Sequence, residues 1–166
     1  MNTSQISTGD VILFRGGSNI ASEVIEAFTG PYCHVGMFFL KDGQPWIAEM
    51  YNDYREISLA DRLAEGGTST PCWGMAPAII REQTQAVNAA MDAFRSDAAD
   101  HKYNYGALVE VWASDKLGAH YDANETRPVC SVFVQRIWAA VLQGDFTSLY
   151  SPSDIANLCQ SVTPIT

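Results

Sequence analysis

Arg127-Pro128-Val129-Cys130-Ser131-Val132-Phe133-Val134-Gln135-Arg136-Ile137-Trp138 reads as the start of a buried helix with a cysteine in its first turn. Pro128 suits an early helical position, where its missing N–H costs nothing. Val129, Phe133 and Ile137 recur at helical spacing, as do Val134, Trp138 and Val141, so most of the helix circumference is apolar. Cys130 therefore stands among unpaired backbone N–H groups, at the positive end of the helix dipole. That setting favours the thiolate. By position alone, however, packing is the better reading, because free cysteine is among the most buried residue types. A base, an orienting group and a suitable fold must come from elsewhere in the chain.

Bulk composition narrows the search. The 166 residues suit one domain, spanning 1–166, with a single sizeable core. Apolar residues make up 47% and charged residues 17%, so the chain is globular. Ten basic residues against nineteen acidic ones give a net charge of −9, which argues against nucleic acid or an anionic membrane surface as partner. No apolar run is long enough for stable membrane insertion. The start, Met1-Asn2-Thr3-Ser4-Gln5, shows no signal peptide. Cysteines at 33, 72, 130 and 159 follow neither CxxC nor zinc-finger spacing. Reduced thiols in the cytoplasm, with no cofactor and no metal, are the expectation.

Taken in order, Val11-Ile12-Leu13-Phe14 reads as a buried strand. Ser18 caps a helix carrying Ile20, Val24, Ile25 and Phe28. Tyr32 to Leu40 is a second strand, and Trp46 to Tyr51 returns from it. Asp42-Gly43 between them signals a two-residue hairpin turn. That turn sets His34 opposite Tyr51 and Gly36 opposite Glu49. Glu49 then shares a face with His34, one diagonal away, at a Cα separation of roughly 7–8 Å. A three-residue turn would send Glu49 to the other face.

Tyr54 to Ile57 extends the sheet. Ser58-Leu59-Ala60-Asp61 opens a short helix as a capping box. Pro71 to Pro77 is an edge strand or an irregular segment. A long helix is expected from about Arg81 to Ala98, with Val87, Ala90, Met91 and Phe94 on one face. Tyr103-Asn104-Tyr105-Gly106 leads an ill-defined region up to Arg127. The Cys130 helix ends near Leu142-Gln143-Gly144, and Ser151-Pro152-Ser153-Asp154 opens a last one.

Cys130, His34 and Glu49 form a candidate nucleophile, base and orienter. Histidine exchanges the thiol proton near neutral pH, and an acid on its other nitrogen fixes the tautomer. The helix N-terminus, with the Cys130 N–H foremost, can stabilise an oxyanion. Asp53, Glu56 and Gln44 compete for the third role. His101 and His120 compete with His34 but sit in polar, loop-like surroundings. Cys33 is a rival nucleophile that strand alternation points away from His34's face. Cys72 and Cys159 read as packing residues.

The order Gly-Asp-Val-Ile-Leu-Phe, a Ser-rich helix, Tyr-Cys-His-Val-Gly-Met, a strand ending Ile-Ala-Glu-Met, a long helix, Tyr-Asn-Tyr-Gly, Val-Cys-Ser-Val-Phe-Val and Ser-Pro-Ser-Asp-Ile resembles the permuted NlpC/P60 superfamily, in particular its YiiX-like branch. The resemblance runs from about Gly9 to Leu158. It implies an α+β, circularly permuted papain-like fold in which a small antiparallel sheet packs against helices. It implies that Cys130 is the nucleophile, His34 the base and Glu49 the acid of a cysteine hydrolase. Cys33 replaces the serine usual before the histidine, and Val129 the tyrosine usual before the cysteine. Tyr32 or Tyr103 is a candidate source of the missing hydroxyl. The implied substrates are a cell-wall peptide or an N-acyl amino-acid conjugate, cleaved through a thioester. The alternatives are a lipid acyltransferase or thioesterase, or a binding module that lost activity.

Overall fold

A computed structural model describes residues 3–17, 30–97, 129–144 and 149–165. The expected helix after Ser18, the Tyr103 to Arg127 region, His101 and His120 lie outside these residues.

Among the described residues, six antiparallel strands build one sheet: β1 (Val11–Arg15), β2 (Tyr32–Lys41), β3 (Gln44–Met50), β4 (Tyr54–Ser58), β5 (Thr70–Met75) and β6 (Ser161–Pro164). Their spatial order is β4-β3-β2-β1-β5-β6. The helices are α1 (Leu59–Ala64), α2 (Ala78–Glu82), α3 (Thr84–Ser96), α4 (Cys130–Leu142) and α5 (Pro152–Leu158). The chain is thus α+β, and no helix of the described residues is long and apolar enough to cross a membrane.

The run Val11 to Phe14 is apolar throughout because β1 lies mid-sheet and is buried on both faces. Val11 and Leu13 join the larger core with Val35, Met37, Met91, Phe133, Ile137 and Trp138. Ile12 and Phe14 join a smaller core with Phe38, Ile47, Leu59 and Trp73 on the opposite face. Helix α4 supplies the larger core with Phe133, Val134, Ile137, Trp138 and Val141, as its periodicity requires. Trp138 also donates its indole N–H to the Gly9 carbonyl, 3.1 Å away, so the buried ring leaves no polar atom unmatched.

The Asp42-Gly43 turn holds both residues at positive φ, 52° and 73°, the conformation of a two-residue hairpin turn. The register follows: Lys41 pairs with Gln44, Phe38 with Ile47 and Met37 with Ala48. Ser58 caps α1 by accepting from the Asp61 N–H. Ser151 and Asp154 form a full capping box on α5, with Pro152 in its first turn. Gln143 closes α4 in the left-handed region, at φ 50°.

Three expectations need correction. Pro71 to Pro77 is not an edge: β5 lies between β1 and β6, and the sequence reading missed β6 altogether. A four-residue strand with only Val162 half-buried carries too weak a periodic signal. The helix expected from Arg81 is two helices, broken at Gln83 (φ −104°, ψ 42°). Ahead of the break, Ile80 buries near Gly9 and Arg81 reaches Asp10, Ser7 and the Gln5 carbonyl. Beyond it, Val87, Met91 and Phe94 bury along α3. One straight axis does not serve both sets of contacts.

The third correction concerns β2. The pairing Phe14 with His34 is followed by Arg15 with Tyr32, so Cys33 is the extra residue of a β-bulge. Simple alternation does not hold there. The Cys33 thiol points to the carbonyls of Phe14 and Gly16, at 3.4 and 3.5 Å, within the smaller core.

Candidate active site

His34 stands near the start of β2, beside the bulge. Its ring packs at a tilt against Phe14 (centroids 5.6 Å apart) and edge-on to Tyr51 (5.9 Å). The Tyr51 contact is the neighbour that the hairpin register predicts. Two residues back, Glu49 closes on the same ring: its Oε2 lies 2.7 Å from His34 Nε2.

Gly36 makes that approach feasible. A Cβ on residue 36 would lie 3.0 Å from the Glu49 Cβ, 3.0 Å from Ile47 Cγ2 and 3.2 Å from the Ala48 carbonyl oxygen. Such distances are tighter than ordinary side-chain contacts, so a larger residue would press on Glu49 and Ile47, and glycine spares Glu49 that shift.

Cys130 is the first residue of α4, following Val129 in extended conformation (φ −102°, ψ 177°). It is 2% exposed and belongs to the larger core. Its side chain also interacts with that of His34, whose pKa it raises. His34 thus joins Cys130 on one side to Glu49 on the other. With Nε2 on the carboxylate, Nδ1 is the ring nitrogen left for the thiol.

The electrostatics follow from this chain. Burial works against a charge on His34, yet the hydrogen bonds to Cys130 and Glu49 and their negative charges push its pKa up to about 9. Glu49 is fully buried, which by itself would raise its pKa. The hydrogen bond and charge of His34, then the charges of Arg62 and Arg55, instead hold it down at about 2. Glu49 is therefore ionised at any ordinary pH.

Neither arginine was among the residues singled out by sequence. Arg55 Nε and Nη2 reach Glu49 Oε1 at 2.8 and 2.6 Å. Arg62 Nε reaches the same oxygen at 2.9 Å. Glu65 grips Arg55 from the far side with both oxygens, at 2.7 and 2.9 Å. The only available clue was charge pairing around α1, and a surface helix shows the same pattern.

The competitors go elsewhere. Glu56 pairs with Ala48, on the other face from Glu49, and binds Arg95 and the Tyr54 hydroxyl. Asp53 and Gln44 are exposed. Tyr32 packs against the larger core. Burial and the thiols of Cys72 and Cys159 raise its pKa, while Arg15 opposes them. Burial, with the charge of Asp10, pushes the Cys159 thiol up to about 12, and burial also raises Cys72. None of the four cysteines forms a disulfide.

A solved structure shares this architecture. The crystal structure of the metalloprotein YiiX from Escherichia coli O157:H7 (DUF1105) superposes with a TM-score of 0.57 at 17% identity. The match covers 98% of this chain and 97% of that one. At that identity the likeness is one of fold. No protein-family model and no curated relative matches the sequence.

Proposed function

We propose that this protein is a cysteine hydrolase of the permuted papain-like type, cleaving an amide bond with Cys130, His34 and Glu49. The observation that carries the reading is His34 held 2.7 Å from Glu49 and coupled to Cys130, the first residue of a helix. The fold likeness to YiiX, which extends over 98% of this chain, is consistent with it.

In the proposed reaction, the thiol proton already rests on His34, and the thiolate sulfur of Cys130 attacks the carbonyl carbon. The carbonyl electron pair moves to oxygen, where the Cys130 N–H is the nearest candidate donor. Collapse re-forms the carbonyl and breaks the C–N bond, and the proton on His34 goes to the departing amine. A thioester remains. His34 then takes a proton from water, hydroxide adds to the thioester carbon, and the C–S bond breaks. The carboxylic acid leaves, and Cys130 and His34 return to their starting state. Glu49 stays ionised throughout. The proposed substrates are cell-wall peptides or N-acyl amino-acid conjugates.

YiiX is a metalloprotein, which raises a metal reading. Among the described residues, no three His, Cys, Asp or Glu side chains are arranged to hold a metal ion. Glu49 Oε1 already faces two guanidinium groups, which would repel a cation. Among the described residues, the donors around His34 therefore do not fit a metal ion.

The deciding experiment is carbamidomethylation of the native protein by iodoacetamide at pH 6, with sites read by peptide mass spectrometry. Cys130 is expected to react well ahead of Cys72 and Cys159, whose thiols burial holds protonated. A Cys130 rate no faster than theirs would sink the reading.

A further inference from the structure

More positive charge surrounds Glu49 than a histidine-orienting carboxylate needs. Three N–H donors from two arginines converge on Oε1, while among the described residues Oε2 meets His34 alone. Arg62 is the more enclosed cation. Its side chain is 8% exposed, and its guanidinium lies over the Phe14 ring at 4.2 Å and over Tyr51 at 5.5 Å. Arg55 also lies over Tyr51, at 4.4 Å, and is tied to Glu65. The same two aromatic rings flank His34. The arginines, the acid and the imidazole therefore form one packed unit, drawn from β2, β3, β4 and α1.

Charge balance explains the excess. Were His34 the sole counterion of Glu49, the imidazole would have to stay protonated to keep a buried carboxylate compensated. It could not then release a proton to a leaving group without stranding Glu49. Arg55 and Arg62 balance Glu49 and Glu65, two charges against two. The charge on His34 is left to alternate with that on Cys130.

We propose that Arg62, supported by Arg55, is a positioning residue that serves as the permanent counterion of Glu49 and fixes its Oε2 on His34, so that His34 is free to cycle its proton with Cys130. This inference rests on the proposed nucleophilic role of Cys130. The groups that set the pH response are His34 from β2, Arg55 from β4, Arg62 and Glu65 from α1 and its end, and Cys130 from α4. The guanidinium fork matters as well as the charge, since a lysine ammonium does not hold a carboxylate at a fixed angle.

The test is the rate–pH profile of Cys130 carbamidomethylation in the wild type, R62Q, R62K, E49Q and E49Q/R62Q, each checked for folding by circular dichroism. R62Q is expected to slow Cys130 about tenfold at pH 6 through misplacement of Glu49. The acid limb of its profile should move up by about one pH unit. R62K is expected to fall between R62Q and the wild type. The double variant, which leaves no uncompensated buried charge, should be no slower than E49Q alone, because Arg62 acts only through Glu49. If R62Q does not fold, R62K carries the test: a profile superimposable on the wild type overturns the inference. A folded R62Q with wild-type rates, or a double variant whose losses multiply, overturns it too. A wild-type Cys130 no faster than Cys72 overturns the nucleophile reading beneath it, an outcome distinct from the others.

Discussion

Glu49 Oε2 sits 2.7 Å from His34 Nε2, and that contact ties a fully buried acid to a ring whose other nitrogen is left for Cys130. Two strands of one hairpin and a helix far along the chain thereby meet at one site. If the site is catalytic, its members are unequal. C130S and H34Q are expected to lower kcat/KM by at least about 10³-fold on any substrate found, and E49Q by about 10²-fold. The difference arises because Cys130 and His34 handle the bond and the proton, whereas Glu49 only orients. Equal losses for all three would argue against that division.

His34 should titrate with a pKa of about 9, because its bonds to Cys130 and Glu49 outweigh the cost of burying its charge. Proton NMR of the ring, followed from pH 5 to 10, measures this directly. In C130A and in E49Q the charge of one raising partner is gone while burial remains, so the titration should move toward or below the ordinary 6.5. A His34 titration that ignores both substitutions would contradict the hydrogen-bonded chain.

Glu49 connects the site to acid stability. Its folded pKa of about 2 lies below its ordinary 4.5. Its contribution is therefore fully present above pH 4.5 and is lost as pH falls through about 2. The two values correspond to roughly 3 kcal/mol. Urea denaturation at pH 7, 4 and 2.5 should show wild-type stability falling along this limb and E49Q falling less steeply. Parallel curves would remove Glu49 from the account.

Two hairpin glycines should respond differently. Gly36→Ala places a Cβ 3.0 Å from the Glu49 Cβ and should cost about 1–3 kcal/mol while displacing Glu49 from His34. Gly43→Ala meets no neighbour within 4 Å but must hold φ at 73°, so it should cost about 1 kcal/mol of backbone strain. Melting curves would register both. Cys130 alkylation should slow in the first variant only.

Local rules made much of this protein legible. Asp42-Gly43 selects a two-residue turn, which sets the register and brings Glu49 to the face of His34. The apolar circumference of Phe133, Ile137 and Trp138 marks a core helix whose first residue is Cys130. Ser58 and Ser151 announce the helices they cap, since capping is decided within one turn of chain.

Other features depend on groups that meet only after folding. Gln83 breaks a helix because Ile80 and Arg81 on one side, and Val87 onward on the other, pack against different neighbours. Cys33 leaves the alternating pattern because β1 and β2 pair with a bulge there. The Arg55 and Arg62 clamp has no local signature: its donors sit 6 and 13 residues from Glu49 and converge through the packing of α1 and β4 on the sheet. The sequence by itself determined the hairpin, the buried helix and the pairing of an acid with a histidine, all of which follow from short-range turn and periodicity rules. Only the tertiary structure decided that a thiol joins that pair and that two arginines hold the acid charged, because burial and charge convergence across distant segments set both.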